Sequence, residues 1–190
     1  MKIRALCRTD AWQSCRLMLL RGAVIGCAVV IATQLAAAPA SEAPATKSAI
    51  AVLDFELYDL TLAPESAAEQ ERTKSIGPML RQILKSQYGF ELVTIESDAQ
   101  NAADKGTGYL FEHHNVAANL GRDAASDWVV VGRVHKASFL FVYFKALVVD
   151  TKTQRLIADL VVEVKGTKKR LTEKGVEALA KQIAAAISEA

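Results

Sequence analysis

Asp54, Glu56 and Asp59 fall close together on the segment LDFELYD, residues 53–59. Three neighbouring carboxylates could hold a divalent cation through oxygen ligands. They stand at the carboxyl end of an expected strand, the edge of an open α/β sheet where ligands sit. The structural alternative is that Asp54 caps a neighbouring loop or pairs with Lys or Arg while the other two are solvated. Glu112-His113-His114 holds the one histidine pair. Adjacent helical residues point about 100° apart, so the two imidazoles cannot share an ion as an i, i+4 pair does, and a surface position is expected. His135-Lys136 with Ser138 offers a base, an ammonium and a hydroxyl, but no nucleophile elbow or oxyanion loop accompanies them. No Walker loop, dinucleotide fingerprint, HExxH or GxSxG is present, and Gly106-Thr107-Gly108 is too short for a phosphate cradle. Nothing in the pattern calls for a catalytic residue or a cofactor, and the alternative to a contact function is a small-ligand or divalent-cation binding protein using the Asp54, Glu56 and Asp59 crevice.

A different kind of site is offered by Phe139, Phe141, Tyr143 and Phe144, four aromatics within six residues. Alternation puts Phe139, Phe141 and Tyr143 on one strand face and Phe144 with Leu140 and Val142 on the other. A strand apolar on both faces is either central in its sheet or has one face against a partner, which a second copy of the chain would also satisfy.

The elements that carry these residues begin after a leader. Residues 22–33, GAVIGCAVVIAT, are uncharged and apolar, follow Arg21, and lead into a small-residue run that ends Ala38-Pro39-Ala40. A basic flank, a short apolar core and an A-x-A terminus mark a secretory signal peptide over 1–40. The core is about twelve residues against about 20 for a spanning helix, so no stable membrane span is expected after processing. The basic segment before it is long, and Met18 gives a more typical start than Met1. Cys27 in VIGC loosely matches a lipidation box, the alternative being a lipoprotein or a membrane anchor. Residues 1–40 hold five basic residues and one acid, leaving 18 Lys+Arg against 20 Asp+Glu in the remainder. Such a balance gives no electrostatic reason to bind nucleic acid or anionic lipid. Cys7, Cys15 and Cys27 all lie in the leader, so the remainder has no thiol chemistry.

Residues 41–47 form a polar, Pro-containing entry expected to be disordered, and 48–190 one domain of a size that folds without disulfides. A first strand is expected over 48–57, with Asp54 and Glu56 on the face of Ile50 and Val52. A helix follows, started by Ser66 and Glu69 as a capping box, kinked or restarted at Gly77-Pro78, and closed by Gly89. Then come a short strand over 90–95, a loop over 98–108, and a helix over 110–122. Three strands follow in sequence, 128–136, 139–150 and 155–165, the last with Leu156, Ala158, Leu160, Val162 and Val164 on one face. Thr172 caps a final helix with an apolar stripe at Val176, Leu179, Ile183 and Ile187. The fold class is α/β (α+β), in the order βαβαβββα: a mixed five-stranded sheet with three main helices.

LDFELYDLT (53–61), VHKASF (134–139), VVDTKTQRLIA (148–158) and GTKKRLTEKG (166–175) resemble a family of exported bacterial proteins of unknown function. Its pattern is similar to "DFEL-x-D-T-S", "V-x-K-V-S-N" and a "D-x-x-T-G" hairpin. More distantly the chain resembles the amino-terminal domain of TolB and the core of the curli-secretion lipoproteins. They share a strand like "I-A-V-L-D-F" and a later "A-D-x-V-V-x-G", here Ser126-Asp127-Trp128-Val129-Val130-Val131-Gly132. The resemblance implies a periplasmic or secreted protein that works by contact with envelope proteins, not by chemistry, and matches Asp54 and Asp59 to family positions. The chain departs from that pattern in lacking a cysteine pair, in placing Thr172 about where a tryptophan stands, and in having Gln154 for the hairpin glycine.

If 1–40 are a removable leader, amino-terminal sequencing of the protein from the cell envelope should begin at Ser41. Recovery of the uncut chain from the cytosol would overturn that reading.

Overall fold

The computed structural model describes residues 47–190 except 62 and 65. The expected leader, with Ala38, Ala40, Cys27 and Met18, and nearly all of the entry 41–47 lie outside the described residues. In chain order the elements are β1 (Ala49–Val52), β2 (Glu56–Asp59), α1 (Ala67–Tyr88), β3 (Glu91–Val93), α2 (Ser97–Ala103), α3 (Tyr109–Glu112), α4 (His114–Asp123), β4 (Trp128–Lys136), β5 (Phe141–Asp150), β6 (Leu156–Lys165) and α5 (Lys169–Ser188). Among the described residues, no helix is long and apolar enough to cross a membrane.

The α/β class and the mixed sheet are as expected, but six strands replace five, ordered β3-β1-β4-β5-β6 with β2 also against β4. The expected first strand breaks in two. Val52 lies opposite Val130 and Glu56 opposite Arg133, so four steps on one side span three on the other. One extra residue disrupts the ladder and reverses which way the following side chains point. Glu56 therefore does not share a face with Ile50 and Val52. Phe55 fills the gap by lying on Gly132, where a Cβ would come within 2.3 Å of its ring. β1, β2, β3 and β4 run parallel, while β4, β5 and β6 form the antiparallel meander. A second irregularity at Val148/Val149 pairs Val149 with Leu156 and takes Leu156 off the face of Ala158, Leu160, Val162 and Val164.

Two cores flank the sheet. Ile50, Val130, Phe144, Val148 and Val164 meet Ile76, Leu80 and Leu84 of α1 and Val176, Leu179 and Ile183 of α5. On the other side Ala51, Val129, Val131, Leu147 and Val149 meet Leu110, Ala117 and Ala118 of α3 and α4. That second cover reaches only part of the sheet. Farther along β4 and β5 the same-side residues Arg133, His135, Tyr143 and Lys145 are half-buried, and Phe141 is exposed.

Local signals account for α1 well. Ser66 Oγ accepts the Glu69 N–H at 3.2 Å, and Gly89 at φ +73° closes the helix while the Phe90 N–H bonds the Leu84 carbonyl. The helix runs through Gly77-Pro78 without the expected restart, because one missing N–H is outweighed by packing against the sheet and α5 on both sides of it. The loop expected over 98–108 contains α2, and the helix expected over 110–122 splits at His113. The last helix begins a turn early, with Lys168 at its cap. Thr172 lies inside it, 2% exposed, its Oγ1 accepting Arg72 Nε at 2.9 Å.

Gly132→Ala should cost about 1–3 kcal/mol, since Phe55 is held from behind by the core. Gly77→Ala, whose Cβ would meet nothing closer than 3.5 Å, should be neutral or gain up to about 1 kcal/mol of helix propensity. Urea unfolding of both variants checks the pair; equal midpoints would refute the close-packing role of Gly132.

Candidate functional site

Glu56 and Asp59 sit three residues apart on β2, an odd spacing that sends them to opposite faces. Glu56, opposite Arg133, turns toward α3. One of its oxygens accepts Arg133 Nε and the other the Gly108 N–H at 2.6 Å. Asp59, opposite Lys136, turns toward α1. Its Oδ2 meets Lys136 Nζ at 2.8 Å, and its Oδ1 accepts the Thr61 N–H and hydroxyl at 2.8 and 2.7 Å. Asp54 lies in the break between β1 and β2. It accepts Ser97 Oγ at 2.8 Å and faces Arg81 at 3.3 Å, while its backbone exchanges two hydrogen bonds with the Gln100 side chain. Asp54 thus pairs with an arginine and holds the start of α2 through the Ser97 hydroxyl. Glu56 and Asp59, expected solvated in the structural alternative, are instead ion-paired. The three acids do not converge, and among the described residues no group of three His, Cys, Asp or Glu could hold a metal ion.

The most enclosed cation of the site carries no sequence motif of its own. Lys136 has a side chain 4% exposed, and its ammonium touches Asp59 at 2.8 Å and both Glu69 oxygens at 2.7 and 2.8 Å. The signal was present: Lys136 shares a strand face with Val130 and Val134, which are core residues. An ammonium in such a position requires carboxylates. Burial alone would lower Lys136, but its bonds to Asp59 and Glu69 outweigh that and raise it above 10.5. Burial alone would raise Asp59, but the bonds from Lys136 and Thr61 leave it below 3.8. Glu69 makes only half of the expected capping box, since its carboxylate is taken up by Lys136.

On the other face Arg133 lies 4.2 Å from the ring of Phe111 and 5.2 Å from that of Tyr58, its buried Nη2 without a hydrogen-bond partner. Aromatic faces take the place of a second acceptor. Strand register then lines up Tyr58, His135, Tyr143 and Glu163 in one row across β2, β4, β5 and β6. Tyr58 and His135 stack at 5.5 Å, and His135 and Tyr143 stand 6.2 Å apart. Burial, Lys145 and Arg133 push His135 below 6.5, which favours its neutral imidazole. Phe141 stands in the next row, opposite Lys165.

The four aromatics singled out from the sequence therefore divide. Phe144 is fully buried in the core and offers no surface. Tyr143 is half-buried in the row just described. Phe141 and Phe139, 40% and 68% exposed, flank the turn into β5 with Leu140 at 68%. Ser138 Oγ accepts the N–H groups of Leu140 and Phe141, which shapes that turn. His135 and Lys136 point to opposite faces, so no Ser-His-Lys grouping forms. His113 stacks on Tyr109 at 4.3 Å where α3 gives way to α4.

A family model described as "Protein of unknown function (DUF2380)" matches residues 48–183. Comparison with curated protein sequences returns no match. Among solved structures the chain is similar to the PelC dodecamer from Paraburkholderia phytofirmans, at 11% identity, 74% of this chain, 87% of that one, and a TM-score of 0.48. It is similar also to the LpoB C-terminal domain from Salmonella enterica (16% identity, 62% and 82%, TM-score 0.45). For TolB from Acinetobacter baumannii the values are 12% identity, 75% and 28%, and a TM-score of 0.42.

Removing the ammonium alone should be costly. Lys136→Met leaves two carboxylates facing each other in the core and should lose about 3–5 kcal/mol in urea unfolding. Asp59, depressed in the fold, contributes stability above about pH 4 that fades as acid protonates it; Lys136, raised, contributes up to about pH 10.5 and loses it as pH climbs through its raised value. Asp59→Asn should therefore make the acid limb of the stability curve shallower. An unchanged limb would show that Asp59 carries no such linkage.

Proposed function

We propose, for a chain that belongs to the DUF3280 family of proteins of unknown function, that it is an exported, non-catalytic protein of the cell envelope which works by contact. Its partner is another envelope protein, docked on the uncovered part of the sheet. The observation that carries this reading is the concentration of exposed apolar side chains there: Tyr58, Phe141 and Val161 are all at least 38% exposed, and Phe139 and Leu140, at 68%, stand at the turn that ends this part of the sheet, with the Phe139 ring 5.2 Å from Lys136 Nζ on the α1 side. They border the row of Tyr58, His135 and Tyr143. Single exposed apolar residues are ordinary, but several gathered on one sheet end are characteristic of interaction surfaces.

Two further features support it. The leader pattern directs the chain out of the cytosol, and a short apolar core favours cleavage over anchoring. The acids at the carboxyl edge of the sheet are engaged with Arg81, Arg133 and Lys136, which leaves them occupied in holding elements together. A contact protein needs only a stable surface, and these ion pairs brace the strands that present it.

Crosslinking the tagged chain in its own host and recovering it from the envelope tests the reading. Wild type should capture a partner that Phe139→Ser/Phe141→Ser loses, with an unchanged melting temperature in the variant because both side chains are exposed. Equal capture by both proteins, or turnover of a substrate by the purified chain, would overturn it.

A further inference from the structure

β6 ends the sheet, bonded to β5 on one side; among the described residues nothing pairs with its other edge. Proteins normally shield an edge of this length with a proline, a bulge, an inward charge or a covering segment. β6 contains no proline, and from Ala158 to Lys165 it keeps unbroken register with β5. Its apolar side chains are incompletely covered on both faces. Ala158, Leu160 and Val162, on the α5 side, are half-buried, and Val161 on the opposite side is 47% exposed.

The charges on this strand and the length of overlap together choose one way of covering it. When a strand pairs antiparallel with its own copy, directly opposed residues share a face, so one residue must lie on the two-fold axis. An axis at Val161 would oppose Asp159 to Glu163 of the copy, twice. An axis at Asp159 or Glu163 would oppose that carboxylate to itself. An axis at Leu160 would oppose Asp159 to Val161, with no ion pair. An axis at Val164 would oppose Glu163 to Lys165, but only over the last residues of β6. An axis at Val162 opposes Asp159 to Lys165 in both directions, Leu160 to Val164, and Val162 to itself. Lys165 is available for this: it is exposed, leaning on Glu163 at 3.3 Å and lying 5.9 Å from the Phe141 ring.

We propose that two copies of the chain join antiparallel along β6, about an axis at Val162, into one continuous sheet. The edge shares only Val161 with the exposed apolar residues assigned above to an envelope partner, and Asp159, Val162 and Lys165 are not among them, so the two surfaces are tested separately.

Sedimentation velocity on the purified chain should show a two-chain species. Asp159→Lys and Lys165→Asp, each of which places like charges in opposition, should each weaken it about tenfold or more, and the combined Asp159→Lys/Lys165→Asp exchange should restore it. Both positions are exposed, so melting temperatures should not move when measured at a dilution where wild type is a single chain. Register has its own readout. In a chain with Cys7, Cys15 and Cys27 changed to serine, Val162→Cys should crosslink to its copy in air while Val161→Cys should not. A chain that stays single at every concentration, a dimer indifferent to Asp159→Lys, or crosslinking at 161 in place of 162 would overturn the pairing. Those results would leave partner capture through Phe139 and Phe141 untouched, just as loss of that capture would leave the dimer in place.

Discussion

Between Val52 and Glu56 the chain takes one residue more than β4 does over the same length, and much of the molecule's chemistry follows from that step. A strand in unbroken register would have carried Glu56 to the face of Ile50 and Val52, into the core beneath α1. The extra residue turns Glu56 to the other face, where Arg133 and the amide of Gly108 receive it. It also lets Asp54 leave the sheet and fasten α2 through Ser97 and Gln100. Phe55 occupies the volume the step opens, and Gly132 is the residue on β4 that makes room for its ring.

Past the step, alternation resumes and Asp59 falls on the α1 side, buried with Lys136. An ammonium there is tolerable only because two carboxylates and the hydrogen bonds from Thr61 to Asp59 compensate its lost hydration. The triad joins β2, β4 and the first turn of α1, beside the apolar contact of Leu57 with Val134 and Val142. Arg133 makes the corresponding joint on the opposite face, with one carboxylate and two aromatic rings. Opposite faces of one short strand are thus each held by a cation from β4, and what looked from the sequence like a single acidic cluster is two separate fastenings.

Why some of this was legible and some not is a matter of range. Ser66, Gly89 and the apolar stripes of α1 and α5 act within a turn or two of helix, and each gave the right element. β4 was bounded correctly at Trp128 and Lys136 because its apolar run ends where polar residues begin. Gln154, standing where the family pattern has glycine, does adopt a left-handed φ of +58°, a conformation its hydrogen bond to Asn119 helps to hold. The step after Val52 depends on the position of Gly132, about eighty residues away, and no local pattern announces it. α2 is likewise fixed from outside, by Asp54, so its polar sequence read as a loop. Thr172 misled for the opposite reason: its residue type suits a cap, but the basic run before it is itself helical, which leaves the hydroxyl to serve Arg72. Even so, the odd spacing of Glu56 and Asp59 was enough to rule out a shared face, and the valine pattern around Lys136 was enough to demand an acid for it.

The two sides of the sheet differ in how completely they are closed, and the proposed partner surface rests on that difference. α1 and α5 lie across one face from β1 to β6, and the residues they cover include most of the largest buried side chains. α3 and α4 are shorter and sit over β1, β4 and the far half of β5, which leaves the near half of the meander without a helix. Polar residues would make that surface inert in water, yet it presents Tyr58, Tyr143, Phe141 and a histidine biased to its neutral form by burial and by the cations beside it. Of its charged members, Glu56 with Arg133 and Glu163 with Lys165 are already paired with each other, and Lys145 stands half-buried near His135. A partner therefore meets little unpaired charge there and gains mainly from covering aromatic and aliphatic area. Such a surface favours a folded protein of complementary shape over a small ion, because an ion would require the very groups that the fold has already engaged.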